Sequence, residues 1–106
     1  MKVVFHPEFP VDQRQFEAGY AEISPGLALR FRREIDEAVD AIKASPSGAG
    51  HFVKTGAFLV SEFRRRNLEA FPCFILDGWT GELLIFGSLI PSRSDPLTWL
   101  TRFPER

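Results

Sequence analysis

The sequence is short of the residues that staple, ligate or carry redox chemistry. It holds one cysteine, Cys73, which excludes an intramolecular disulfide framework, and Cys73 with His6 and His51 matches no zinc or haem spacing. No metal or other cofactor is expected, and a reducing cytoplasm suits a chain of this kind. Excess charge is nearly absent as well: 13 Lys and Arg against 14 Asp and Glu leave −1, so no bulk attraction draws the chain to nucleic acid or to an anionic membrane. Long apolar runs are missing. Val3 to Phe5 is too short for a secretory signal, and the stretch from Leu83 to Ile90 is broken by Gly87 and Ser88, so no segment is expected to span a membrane. Tyrosine occurs once, as Tyr20, and neither Tyr nor His follows His51. The part of the chain after His51 therefore offers neither an imidazole nor a phenol to move a proton.

What is present points to one small folded domain over residues 1–106. Hydrophobic residues make up 44% and charged residues 25% of the 106, which is globular composition and excludes disorder, collagen and coiled coil. Eleven Phe imply a core packed with aromatic rings. Ten of the basic residues are Arg, a bias toward planar, bidentate contacts.

The hydrophobic pattern gives the order of elements. Lys2 to Phe5 reads as a strand stopped by His6-Pro7. From Glu8 to Ile23, Phe9, Phe16, Tyr20 and Ile23 recur at helical offsets, with Asp12, Arg14, Glu17 and Glu22 assigned to the polar side. Ser24-Pro25-Gly26 ends this helix and opens the next, with Ser24 as N-cap and Pro25 at the first helical position. Leu27, Phe31, Ile35, Ala38 or Val39, and Ile42 form the apolar stripe of that second helix until Ser45-Pro46. Arg30, Arg33, Glu34, Asp36, Glu37 and Asp40 make its solvated face.

After a loop from Ser45 to Gly50 the period becomes strand-like: Phe58–Val60, Phe63 to Leu68, Phe71 to Leu76 and Glu82 to about Ile90. Asp77 to Gly81 is read as the hairpin connection between the last two runs. The final strand is apolar at consecutive positions, so it is expected inside the sheet. The fold class is α+β in the order β-α-α-β-β-β: a helical hairpin on one face of a small, mainly antiparallel sheet, the opposite face and the tail forming the working surface. Cys73 alternates with Ile75 and reads as core, and His6 as a cap before proline.

This order of elements carries a recognisable set of short motifs: Phe5-His6-Pro7-Glu8-Phe9, Ser24-Pro25-Gly26-Leu27-Ala28, Arg65-Arg66-Asn67-Leu68-Glu69-Ala70-Phe71-Pro72, and Arg93-Ser94-Asp95-Pro96-Leu97-Thr98-Trp99. Together they resemble the RelE/ParE superfamily over nearly the whole chain, with the Arg-x-Asp-Pro-x-x-Trp tail more similar to the ParE branch. The resemblance implies the toxin of a bacterial type II toxin-antitoxin (plasmid stabilisation) system, cytoplasmic and neutralised by a ParD-like antitoxin. Members of one branch inhibit DNA gyrase by binding; members of the other are ribosome-dependent mRNA endoribonucleases. The missing C-terminal proton carrier favours the gyrase branch, with no catalytic residue. A ribonuclease using the Arg64 to Arg66 cluster is the alternative, and a non-toxic antitoxin-binding homologue is a further one. The residues expected to bind the target are Arg64, Arg65, Arg66, Arg93, Trp99 and Arg102, because guanidinium forks and a large aromatic ring anchor such contacts. Strand alternation sends Arg64 and Arg66 to one face and Arg65 to the other.

Overall fold

The structure is a computed structural model. It describes residues 2–46, 51–53, 62–80, 82–94 and 102, with the backbone alone for residues 51–53 and 62. The chain runs β1 (Lys2–Phe5), α1 (Glu8–Ile23), α2 (Pro25–Ala44), β2 (His51–Val53), β3 (Glu62–Asn67), β4 (Cys73–Trp79) and β5 (Leu83–Pro91). The five strands form one sheet in the order β1-β5-β4-β3-β2. Every pairing is antiparallel except that of β1 with β5, which is parallel. The chain enters the sheet at one edge, crosses through the helical hairpin and returns at the other edge. The last strand thereby ends up between β1 and β4, which is why it is apolar on successive positions.

Local signals account for the helices. The α1 entry is closed by Glu8 N–H donating to His6 Nδ1 at 3.1 Å. The two helices are separated by Ser24 alone, whose extended backbone breaks the helical path and whose Oγ accepts from Leu27 N–H at 3.1 Å, with Pro25 opening α2. The α2 stripe Phe31, Ile35, Ala38, Val39 and Ile42 is buried against Phe9 of α1 and against Cys73, Ile75, Leu84, Phe86 and Leu89 of the sheet. Burial of each such large side chain stabilises the fold by about 1.5–3 kcal/mol. Aromatic rings join the layers: Tyr20 and Phe31 pack at 5.1 Å between centroids, and both meet Phe71, at 4.9 and 5.1 Å. Phe5 stacks on Phe86 at 4.7 Å.

Five expectations change. Asp12, assigned to the polar side of α1, is buried, whereas Ile23, assigned to the apolar side, is 73% exposed at the end of the helix. A strand forms at His51–Val53, directly after the stretch read as a loop. β4 begins at Cys73 rather than Phe71, because Phe71 turns inward to the helices and Leu68 N–H bonds Cys73 C=O across the bend. Asp77, Gly78 and Trp79 belong to β4 and not to the hairpin, which is tightened instead by Leu83 N–H donating to Thr80 Oγ1 at 2.9 Å. The sheet face away from the helices is not an open surface either: Phe63, Phe74, Leu76, Ile85 and Ile90 form a second buried cluster there. The run Phe58–Val60 lies outside the described residues.

Candidate functional site

β3 carries Arg64, Arg65 and Arg66, and its register against β4 decides where each guanidinium goes. Arg64 stands opposite Asp77, Arg65 opposite Leu76 and Arg66 opposite Ile75. Ile75 belongs to the helix-side core and Leu76 to the cluster on the other face, so Arg64 and Arg66 share the helix side and Arg65 the far side.

Arg64 is only 6% exposed. Its cross-strand neighbour Asp77 is 1% exposed, and burial pushes that carboxyl up to about 7, although the guanidiniums of Arg64 and Arg66 both act to lower it. Burial outweighs two cations here because both carboxylate oxygens have lost their water. Arg64 is therefore part of a buried charged cluster and not a free surface anchor, which corrects its expected place on the target-binding surface. Arg66 is half-buried on the rim of a groove of about 300 Å³ between α2 and the β3–β4 bend. Glu34 shapes that bend: its Oε1 accepts from the N–H groups of Glu69 and Ala70, both at 3.0 Å.

Arg65 lies on the opposite face with its guanidinium carbon 3.9 Å from the centre of the Phe74 ring, a cation–π contact. Its Nε donates to Asn67 Oδ1 at 3.0 Å and its Nη2 to Ser92 C=O at 3.3 Å. The second bond ties Arg65 to the turn that presents the exposed Arg93, a turn closed by Ser94 N–H on Pro91 C=O and by Ser92 N–H on Pro72 C=O. Arg65 and Arg93 are thus brought to one end of the sheet. Arg102 is elsewhere: it pairs with buried Asp12 beside β5, at 2.6 Å, and its side chain is 15% exposed. That inward position corrects its expected role as a contact to a target. Trp99 lies outside the described residues.

Among the described residues, neither Tyr20 nor Cys73 is suited to carry a proton at neutral pH. Tyr20 is packed among rings, and burial raises its pKa away from use as a base at neutral pH. Cys73 is fully buried, and burial followed by the nearby Glu34 carboxylate pushes its thiol up to about 12. No group of three or more metal-ligating side chains occurs among the described residues, and no described helix is long and apolar enough to cross a membrane.

Sequence reasoning missed Asp12, Asp77 and Glu34. A signal existed for the first, since Asp12 falls three residues after Phe9 and four before Phe16, inside the apolar stripe. Asp77 directly follows the buried run Phe74 to Leu76, but the adjoining Gly78 gave it the look of a turn. Nothing local marks Glu34 among the charges of α2.

Set beside known proteins, the chain matches no family model and no curated protein sequence. Its structure is similar to a solved chain described as "Chromosomal ParDE TA system from P. aeruginosa", with a TM-score of 0.71 and 19% identity over 86% of this chain and 95% of that one. The order of elements, the helical hairpin and the sheet that positions these arginines are those of a ParE/RelE-like α+β fold.

Proposed function

We propose that the chain is the toxin of a type II toxin-antitoxin system and that it inhibits DNA gyrase by binding, without catalysing a reaction. The observation that supports this reading is the likeness of the fold, over 86% of the chain, to a chain described as belonging to a ParDE toxin-antitoxin system. The target surface we assign is Arg65 with the adjoining exposed Arg93, to which the sequence expectation adds Trp99; Arg66 stands on the other face, at the groove beside α2. Arg65 is pre-organised by Phe74, Asn67 and Ser92, so little side-chain entropy is lost when a carboxylate or phosphate of the target meets it. A ParD-like antitoxin in the same cytoplasm neutralises the chain.

Pulse labelling of DNA and protein synthesis in the minutes after induction without an antitoxin tests the reading. DNA synthesis is expected to fall first, and the purified chain to stall supercoiling by gyrase. Arg65→Ala with Arg93→Ala and Trp99→Ala is expected to abolish both effects while the far-ultraviolet dichroism stays native. Protein synthesis falling first, with cleaved transcripts, replaces gyrase by the ribosome and mRNA as the target. No fall in either leaves antitoxin binding as the remaining activity.

A further inference from the structure

The bend between β3 and β4 is tied to α2 by two neighbouring side chains of the helix. Phe31 meets the Phe71 ring at 5.1 Å between centroids, and Glu34 Oε1 accepts from the N–H groups of Glu69 and Ala70, both at 3.0 Å. The side chains of Glu69 and Ala70 are exposed and add little packing, so the two bonds to a carboxylate hold their backbone to the helix. The carboxylate is fixed in its turn, because Phe31, Ile35 and Ala38 around it on α2 are buried in the core. Beyond Ala70 the chain dips inward at Phe71 and emerges at the exposed Pro72. Pro72 C=O accepts from Ser92 N–H at 3.0 Å, just past the register pair of Cys73 with Pro91 at which β4 and β5 part. Ser92 C=O accepts from Arg65 Nη2 at 3.3 Å, and Arg93 is the next residue.

We propose that Glu34 is a positioning residue for the Arg65–Arg93 surface: by holding the bend against α2 it places Pro72, and through the Pro72–Ser92 bond it sets the spacing of the two guanidiniums. The path leads from the helix side of the sheet, where Glu34 stands, round the end of β4 to the far side, where Arg65 lies on Phe74. Each link is a hydrogen bond between named groups, and the last of them falls on one of the residues meant to meet the target. Two guanidiniums act together on one carboxylate or phosphate only when they are held to within about 0.5 Å of the productive geometry, so a support of this kind bears directly on affinity. Loss of the Glu34 carboxylate frees two successive amides of the bend, and the carbonyl that Ser92 uses lies two residues further on. The functional half of this proposal rests on the reading of Arg65 and Arg93 as target surface; the hydrogen-bonded path itself does not.

Amide hydrogen exchange followed residue by residue in the full chain, with growth inhibition read across graded induction, tests it. Glu34→Ala is expected to raise exchange at Glu69, Ala70 and Ser92 by about tenfold or more and to weaken inhibition, while the β4 amides of Ile75 and Leu76 stay protected. Glu34→Gln, whose side-chain carbonyl can still accept from both N–H groups, is expected to restore most of both. Freed Glu69 and Ala70 amides with wild-type exchange at Ser92 overturn the proposal, because the hold then ends at the bend. Glu34→Gln behaving like Glu34→Ala overturns it as well. So does an equal loss of inhibition in Ser24→Ala, which lowers stability away from the bend. If Glu34→Ala opens β4, Glu34→Asp decides, its carboxylate being a methylene short of the two amides: faster exchange at Ser92 with β4 protected supports the proposal, and wild-type exchange refutes it. Arg65→Ala with Arg93→Ala separates the two claims. Inhibition that survives this pair, while Glu34→Ala still frees Ser92, upholds the path and removes the two arginines from the target surface. Inhibition lost in the pair but undiminished in Glu34→Ala overturns the positioning role, and inhibition lost in both upholds both claims.

Discussion

Asp77→Asn is expected to stabilise the protein at neutral pH and to remove much of its loss of stability between pH 5 and pH 7. In the unfolded chain the Asp77 carboxyl titrates near 3.8, and in the folded protein near about 7. The unfolded state therefore gives up its proton first, and each further rise in pH favours unfolding until the folded carboxyl ionises too. The penalty starts near pH 4, grows by about 1.4 kcal/mol per pH unit and levels off above pH 7 at roughly 4 kcal/mol, from the 3.8 to about 7 displacement. Between pH 5 and 7 alone it grows by about 2 kcal/mol, or roughly 10 °C of Tm for a domain of this size. An amide has nearly the shape of the carboxylic acid but cannot ionise, so it keeps the packing and sheds the penalty. Thermal and urea melts of both proteins at pH 5, 6, 7 and 8 give the difference, in which the titrations of all other groups cancel. Parallel profiles would refute the argument. A wild type that gains on the variant as pH rises would refute it more sharply, because the ion pairing with Arg64 and Arg66 would then outweigh burial.

Two smaller predictions test the local structure. Ser24→Ala removes the side-chain cap at the junction of the helices, where Oγ holds Leu27 N–H, and should lower stability by about 1 kcal/mol in urea titrations. Cys73 should resist thiol reagents in the native protein at pH 8 and react in full once unfolded, because the thiol is enclosed and its pKa is pushed up to about 12. Rapid labelling of the native protein would show that β4 opens far more readily than its burial implies.

Short-range signals determined a good part of this protein. The extents of β1, α1 and α2 follow from residues close in sequence: the β-branched run before His6-Pro7, the helical repeat of Phe9, Phe16 and Tyr20, the Ser24-Pro25 start and the stripe from Leu27 to Ile42. The interior place of β5 was legible for the same reason, since a strand covered on both faces has no polar alternation to show. Pairing alone decided the rest. Alternation separates Arg65 from Arg64 and Arg66, but which face meets the helices depends on the register of β3 against β4, a relation between segments that no window of sequence contains. Asp77 looks like a turn residue until Arg64 is placed across from it. Arg102 looks like a free cation until the fold brings it to the Asp12 carboxylate and the Gly87 carbonyl. A charged side chain reads as surface in sequence because water is its default partner. Only the folded chain shows which of these charges have exchanged water for one another.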